Sequence, residues 1–437
     1  MTTSSPLDLA IDPERAARFP FVPTPVPHRI VRTEGSHLVT DDGRRILDAG
    51  GGAIVVNVGH GRREVADAVA AAMERVTYVI PTWPTSARVD LLHRVLDEWL
   101  PDEFTRGGFT SGGSESVDTA LRLARQHHLS AGRRDRWRVI GRRPSYHGVT
   151  LATLAVGGHD ARRVGFEPML LDFPHVPWDD ADALDETIRR VGADTVAAFI
   201  AEPVIGSSGG ALVADDDYWR RITEVCRHHG VLLIADEVMT GFGRTGRRMG
   251  VDHFPGLEPD IIVGGKGLAG GYAPLGGVYT TDAVIEPIAA NGDSLMFFTY
   301  GAQDAACAAA DTVLRLLDEE HLVARAATQG AALRARLDAA LGDHPHVWDI
   351  RGLGLMLGVE LRHDRASGET FPPDAGLGRR VLAEALRRDV WIYPAGSGDV
   401  VQDAVMLGPP FTVSDTELDT MVAVLVESID AAVASLG

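Results

Sequence analysis

Cysteine, lysine and long apolar runs are what this chain has least of, and each scarcity excludes something. Cys226 and Cys307 are the only two cysteines in 437 residues. They rule out a disulfide-stapled scaffold, and neither stands at metal-ligand spacing, so no metal site is expected. Both sit in helix-like apolar patterns and read as buried free thiols of a reducing compartment. No apolar run approaches the roughly 20 residues of a membrane span. The start, Met1-Thr-Thr-Ser-Ser-Pro6, lacks the charged-then-apolar layout of a secretion signal. A cytoplasmic protein without a membrane partner is therefore expected. Basic residues are also short, 42 against 61 acids for a formal charge of -19, and no basic stripe offsets the acids, which disfavours nucleic acid as a partner.

Within that small basic set, 41 residues are arginine (42 minus one) and a single one, Lys266, is lysine. Composition bias explains the arginines but does not say why one lysine remained. Chemistry offers a reason: a lysine amine can lose its proton and form an imine with an aldehyde, whereas a guanidinium stays protonated.

What is present reads as an ordinary soluble globular chain with 45% apolar residues, large enough for two domains or one large and one small. Residues 1–30 are rich in proline and arginine and suggest an extended N-terminal arm. Short strands at 29–32, 37–40 and 45–48 predict an antiparallel meander. From about 61 to 330, apolar strand-like runs such as Thr195-Val-Ala-Ala-Phe-Ile-Ala201 and Val231-Leu-Leu-Ile-Ala235 alternate with helical patterns. That alternation predicts an α/β fold with a mostly parallel sheet flanked by helices. The remainder, with helices at 331–341, 377–388 and 416–436 and strands at 354–361 and 405–408, suits a smaller α+β domain. The expected division is 1–30 arm, 31–80 first part of the small domain, 81–330 large domain and 331–437 second part of the small domain.

Four local patterns carry chemistry. Ser111-Gly-Gly113-Ser114 precedes a helix whose apolar residues Val117, Ala120, Leu121 and Ala124 fall on one face. Its backbone amides, the helix dipole and the Ser114 hydroxyl make an anion site suited to a phosphate ester, although a plain helix cap reads the same way. Glu202 and Asp236 each follow an apolar strand-like run, at the carboxyl ends that line the crevice of a parallel sheet. A carboxylate there can hold a proton on a cofactor's pyridine nitrogen; a turn acid is the plainer alternative. Thirty residues after Asp236 (266 minus 236), Asp260-Ile-Ile-Val-Gly-Gly-Lys266-Gly267 delivers the lone lysine into a glycine-rich loop. Tyr146 offers an aromatic face to a planar ring, and its neighbour His147 can polarise a group beside it or simply serve a turn.

These elements in this order, with Leu47-Asp-Ala-Gly-Gly51, Asn57-Val-Gly-His60, Ala201-Glu-Pro-Val204, Ala235-Asp-Glu-Val-Met-Thr-Gly-Phe-Gly-Arg-Thr-Gly246, Arg351-Gly-Leu-Gly354 and Pro409-Pro-Phe411, resemble the class III (ω-aminotransferase-like) branch of the fold-type I pyridoxal-phosphate enzymes, from about residue 28 to the end. The resemblance implies a cofactor, pyridoxal 5′-phosphate, bound covalently through Lys266 as a Schiff base, with Asp236 at its ring nitrogen. It further implies Val238 on one ring face, Tyr146 on the other, His147 and Glu202 close by, and Gly113 and Ser114 at the phosphate. Thr299 would be supplied by the neighbouring subunit of a homodimer with shared active sites. The implied reaction is ping-pong transfer of an amino group from a primary amine or ω-amino acid to a keto acid, pyruvate or 2-oxoglutarate. Aminomutases, racemases, a decarboxylase and phospholyases of the same family are the alternatives, with a non-catalytic protein of this fold as a more distant one.

Two departures stand out. After Thr299-Tyr300 the family usually has Gly-His-Pro or Gly-Asn-Pro, and this chain has Gly301-Ala302-Gln303-Asp304. Many ω-aminotransferases also carry a carboxylate-binding arginine some ten residues before the Pro-Pro pair, yet Pro394 to Asp403 contains none. Arg142 and Arg143 are candidates to replace it, with structural salt bridges as the plainer reading.

Overall fold

The computed structural model describes residues 28–293, 295–398 and 400–436. Nearly all of the expected N-terminal arm lies outside the described residues.

Seven strands form the central sheet: β1 (Phe104–Thr110), β2 (Arg138–Arg143), β3 (His175–Pro177), β4 (Val196–Ala201), β5 (Leu232–Asp236), β6 (Ile261–Gly264) and β7 (Gly276–Thr281). They lie in the order β1-β7-β6-β5-β4-β2-β3. Only β7 runs against the rest, antiparallel to both β6 and β1, while β6, β5, β4, β2 and β3 pair in parallel. The apolar runs have the physical reason expected of a covered parallel sheet: every residue of β4, β5 and β6 is buried. Helix α1 (Gly113–Ser130) lies on one face, burying Val117, Ala120, Leu121 and Ala124 as the sequence spacing requires.

The segments on either side of this unit meet in the smaller α+β part. The meander Ile30–Glu34, His37–Thr40 and Arg45–Asp48 takes Val390–Trp391 as a fourth, parallel strand. Residues Val347–Leu353, Met356–Leu361, Asp403–Leu407 and Tyr393–Ala395 form an antiparallel sheet; the first and last of these strands were not expected from the sequence. Both cysteines are free and buried. Among the described residues no helix is long and apolar enough to cross a membrane.

One consequence of topology governs the rest. Strands β1, β2, β4, β5 and β6 all point the same way, so the segments that follow them collect at one end of the sheet. Those segments are Ser111–Ser114, Pro144–Gly148, Glu202, Asp236–Met239 and Gly265–Lys266.

Candidate active site

At that end lies a cavity of about 170 Å³ lined by Gly113, Ser114, Tyr146, His147, Glu202, Asp236, Val238 and Lys266, and also by Gly148, Ser207 and Met239. Eight of the nine residues singled out from sequence are therefore brought together. The ninth, Thr299, is exposed and stands outside the cavity. Ser207 and Met239 went unnoticed in the sequence. Ser207 sits in the small-residue run Gly206-Ser-Ser-Gly-Gly210, whose only signal is its closeness to Glu202.

The lysine is set by its backbone. Gly265 is extended and Lys266 takes φ of 39°, in the left-handed region that side chains other than glycine rarely adopt. The turn is held by Leu268 N–H donating to Gly265 O at 2.9 Å and Gly270 N–H to Lys266 O at 3.1 Å. Strain of this kind, on the order of 1 kcal/mol or more, is found where a structure must aim one side chain. Burial pushes the Lys266 amine down to about 8; Asp236 and Glu202 oppose the shift, while Arg244 and Arg162 add to it. About a tenth of such an amine is neutral at pH 7, against about 0.03% at the ordinary value.

Asp236 ends β5 and is 3% exposed. Its Oδ1 accepts from Val238 N–H at 3.0 Å, and its Oδ2 lies 2.7 Å from His147 Nδ1. An ionised carboxylate only accepts, so Nδ1 carries the hydrogen of this contact. His147 is buried and its Nε2 has no partner. Its place is thus beside Asp236, which it orients.

Glu202 is also buried. Its Oε1 accepts from Tyr146 N–H at 3.3 Å, its Oε2 has no partner, and burial pushes its carboxyl up against the opposing pull of His147 and Arg142. Both Oε2 and His147 Nε2 are polar atoms without a partner among the described residues, an arrangement that is costly unless another molecule supplies one.

The slot is narrow because glycine makes it so. A Cβ on Gly113 would come within 2.8 Å of Val238 Cγ1, and one on Gly265 within 3.2 Å of the same atom. Gly113 begins α1, where the first amides lack intrahelical acceptors. Ser114 Oγ accepts from Val149 N–H at 3.2 Å, and Gly148, at φ of +134°, leaves no room for a Cβ, which would fall 2.5 Å from Ser114 Oγ. The cavity thus combines a partly neutral amine, a buried carboxylate, an anion-binding helix start and a narrow apolar slot.

The two candidate arginines have other work. Arg142 is buried, donates to the carbonyls of Trp178 and Glu202 and lies over the Trp219 ring. Arg143 pairs with Asp160 at 3.2 Å. The altered loop after Tyr300 is anchored by Arg88, which donates to Ala302 O at 2.6 Å and stands 3.5 Å from Asp304. Ala302 there has φ of 58°.

Sequence and structure comparisons fall on one family. The profile for aminotransferase class-III matches residues 22–429. An uncharacterized aminotransferase of Bacillus subtilis, YodT, is 34% identical over 96% of this chain and 97% of that protein. A putrescine–pyruvate aminotransferase of Pseudomonas aeruginosa is 31% identical over 93% of this chain and 91% of that protein. Among solved structures, a thermostable (S)-enantioselective omega-transaminase from Thermomicrobium roseum superposes with a TM-score of 0.86 at 38% identity, covering 94% of this chain and 93% of that one.

Proposed function

The chain belongs to the class III aminotransferases, and from that premise we propose that Lys266 binds pyridoxal 5′-phosphate covalently and that the bound enzyme moves an amino group from a primary amine or ω-amino acid to a keto acid. The observation that carries this reading is the convergence on one cavity of the only lysine, Asp236 and the start of α1. The residues fit the cofactor. Gly113 and Ser114 supply amides and a hydroxyl for its phosphate, the Val238 slot suits a flat ring, and the orphaned atoms of Glu202 and His147 await polar groups. When bound, pyridoxal phosphate supplies an aldehyde and a ring that takes up an electron pair.

The chain's own residues do the remainder. Lys266 would hold the cofactor through its amine and, when displaced by a substrate amine, would be the group placed to take and return the substrate's proton. A pKa near 8 leaves that amine able to both accept and release a proton near neutral pH. Asp236, oriented by His147 Nδ1–H and Val238 N–H, holds the proton on the ring nitrogen. Tyr146 and Val238 bound the ring. The cycle is ping-pong, with pyruvate or 2-oxoglutarate as the acceptor class; the Pseudomonas relative named for pyruvate supports the former.

The proposal extends to a cytoplasmic homodimer, with domain limits near residues 80 and 330. Support for the dimer is an exposed apolar face. Trp83 is 63%, Met296 69% and Tyr300 67% exposed, and Tyr78 meets Tyr300 edge-on at 6.2 Å. Thr299, exposed and next to Tyr300 in the chain, would serve the phosphate of the second subunit.

Borohydride reduction of the cofactor-loaded enzyme tests the assignment: one cofactor per chain should be trapped, on Lys266, and Lys266→Arg should abolish trapping and turnover. A loaded enzyme whose cofactor absorbance no amine of a broad panel converts would sink the transamination reading.

A further inference from the structure

The sequence lacks the arginine that commonly binds a substrate carboxylate before Pro409, and the fold supplies cations to the same neighbourhood from elsewhere. A second chamber of about 410 Å³ adjoins this cavity at Ser207, which lines both. Two arginines line this chamber, Arg162 and Arg379. They come from distant segments, the short helix α2 (Asp160–Arg163) and the first turn of α3 (Leu377–Arg387).

Arg162 differs from the arginines around it. Arg163 is spent on the carbonyls of Leu154, Ala155 and Gly157, at 2.8, 2.7 and 3.0 Å. Arg142 and Arg143 are spent as described. Those contacts pin α2 and leave the Arg162 guanidinium to the chamber, where it lies 4.7 Å from the Tyr146 ring centroid. Tyr146 also lines the cavity that holds Lys266, so Arg162 borders the site, and its charge adds to the depression of the Lys266 amine. Neither Arg162 nor Arg379 has a carboxylate partner among the described residues.

Among the described residues one acid lines the chamber, Asp403, and it already accepts from Gly378 N–H at 2.8 Å and from Gln402 Nε2 at 3.1 Å. His159 adds no charge, because burial and Arg162 push its imidazole down to about 4. The described lining of the chamber is therefore net cationic by one charge, two arginines less one aspartate, on a chain of formal charge -19. A concave cationic spot on an anionic protein focuses its field on small anions, and guanidinium is the side chain best matched to carboxylate.

We propose that Arg162 and Arg379 are the anion-recognition residues of the substrate chamber and that they select a carboxylate-bearing substrate, the keto acid, whose anionic end points away from Lys266. The choice of keto acid rests on the aminotransferase reading; the anion site does not. Arg162, stacked on Tyr146, grips the end of the substrate nearer that ring, and Arg379 adds the second cation of the chamber.

The test is equilibrium binding of glutarate, which cannot react, to the cofactor-loaded enzyme, alongside its neutral diamide. Wild-type enzyme should prefer glutarate. Arg162→Gln and Arg379→Gln should each weaken glutarate by about tenfold or more, the order expected for losing a charge-assisted contact, and leave diamide binding within about twofold. In turnover the loss should fall on KM for the keto acid rather than on kcat. Cofactor absorbance and Tm of each variant report folding independently. Glutarate binding as in wild type by both variants, or a wild-type enzyme indifferent to the diamide's missing charges, would overturn the proposal. If instead no amine converts the cofactor yet glutarate binding depends on both arginines, transamination fails and the anion site stands.

Discussion

Gly113→Ala adds one methyl group, and the structure says where it goes. The new Cβ would stand 2.8 Å from Val238 Cγ1 and 3.2 Å from Cγ2. Ordinary carbon contacts lie at roughly 3.5–4.0 Å, so a displacement of about 0.7–1 Å is needed. Val238 yields poorly. It is β-branched and stiff at χ1, its N–H is held by Asp236, and Gly265 lies against the same Cγ1 methyl. Overpacking of this kind costs about 1–3 kcal/mol, offset by about 0.4–1 kcal/mol because alanine at a compatible position narrows the unfolded ensemble. The net effect on folding is then about 1–2 kcal/mol, a fall in Tm of only a few degrees in a chain this long.

The larger effect should be on the slot itself, where a displaced Val238 closes on the cofactor's ring. A tenfold rise in the cofactor's dissociation constant corresponds to about 1.4 kcal/mol. Titration of pyridoxal phosphate into the cofactor-free protein, followed by absorbance, measures it. The control is built into the geometry: with both Cγ methyls removed, the nearest atom of residue 238 is Cβ at 3.6 Å, an ordinary contact. Gly113→Ala should therefore be harmful in the Val238 background and nearly neutral in the Val238→Ala background, a coupling of about 1 kcal/mol or more. Simple additivity of the two substitutions would refute the reasoning.

Other expectations are as specific. In the cofactor-free protein the Lys266 amine is depressed to about 8, so its labelling by an aldehyde and borohydride should rise with pH through a midpoint near 8; a midpoint near 10.5 would contradict the burial argument. Between those two values the folded amine holds fewer protons than the unfolded one, so the cofactor-free protein should gain stability as pH rises through that window, as thermal scans at pH 7.5 and 10 would show. His147→Phe removes the donor to Asp236 Oδ2, and stranding a buried carboxylate should cost about 1–3 kcal/mol and weaken cofactor retention; unchanged retention would remove His147 from its positioning role. Trp83→Glu puts a charge in the proposed subunit interface, and sedimentation should show monomers that lose cofactor on dilution, whereas an intact dimer would move the interface elsewhere.

Much of this was legible in the amino-acid order because local chemistry leaves local signatures. A covered parallel strand must be apolar on both faces, so Val196–Ala201, Leu232–Asp236 and Ile261–Gly264 announced themselves. The acid or lysine that follows each such run announced the crevice. His147 was visible only as a candidate, because its contact with Asp236 spans 89 positions. Val347–Leu353 escaped notice because its residues are half exposed and interrupted by charge. Thr299 was legible only through the family, since a single chain leaves it on the surface.

By itself, then, the sequence determined the chemistry: one amine in a chain otherwise furnished with guanidinium, a phosphate turn, and acids at strand ends. These depend on residue type and on neighbours within a few positions, which the order of the chain carries directly. The tertiary structure alone decided who faces whom. It gave Arg142, Arg143 and Arg163 to structural partners, and it left Arg162 and Arg379, 217 positions apart (379 minus 162), lining one chamber. Cationic residues are interchangeable in a sequence until folding settles which of them find a carboxylate, and charge left unpaired in a concavity is a property of the fold.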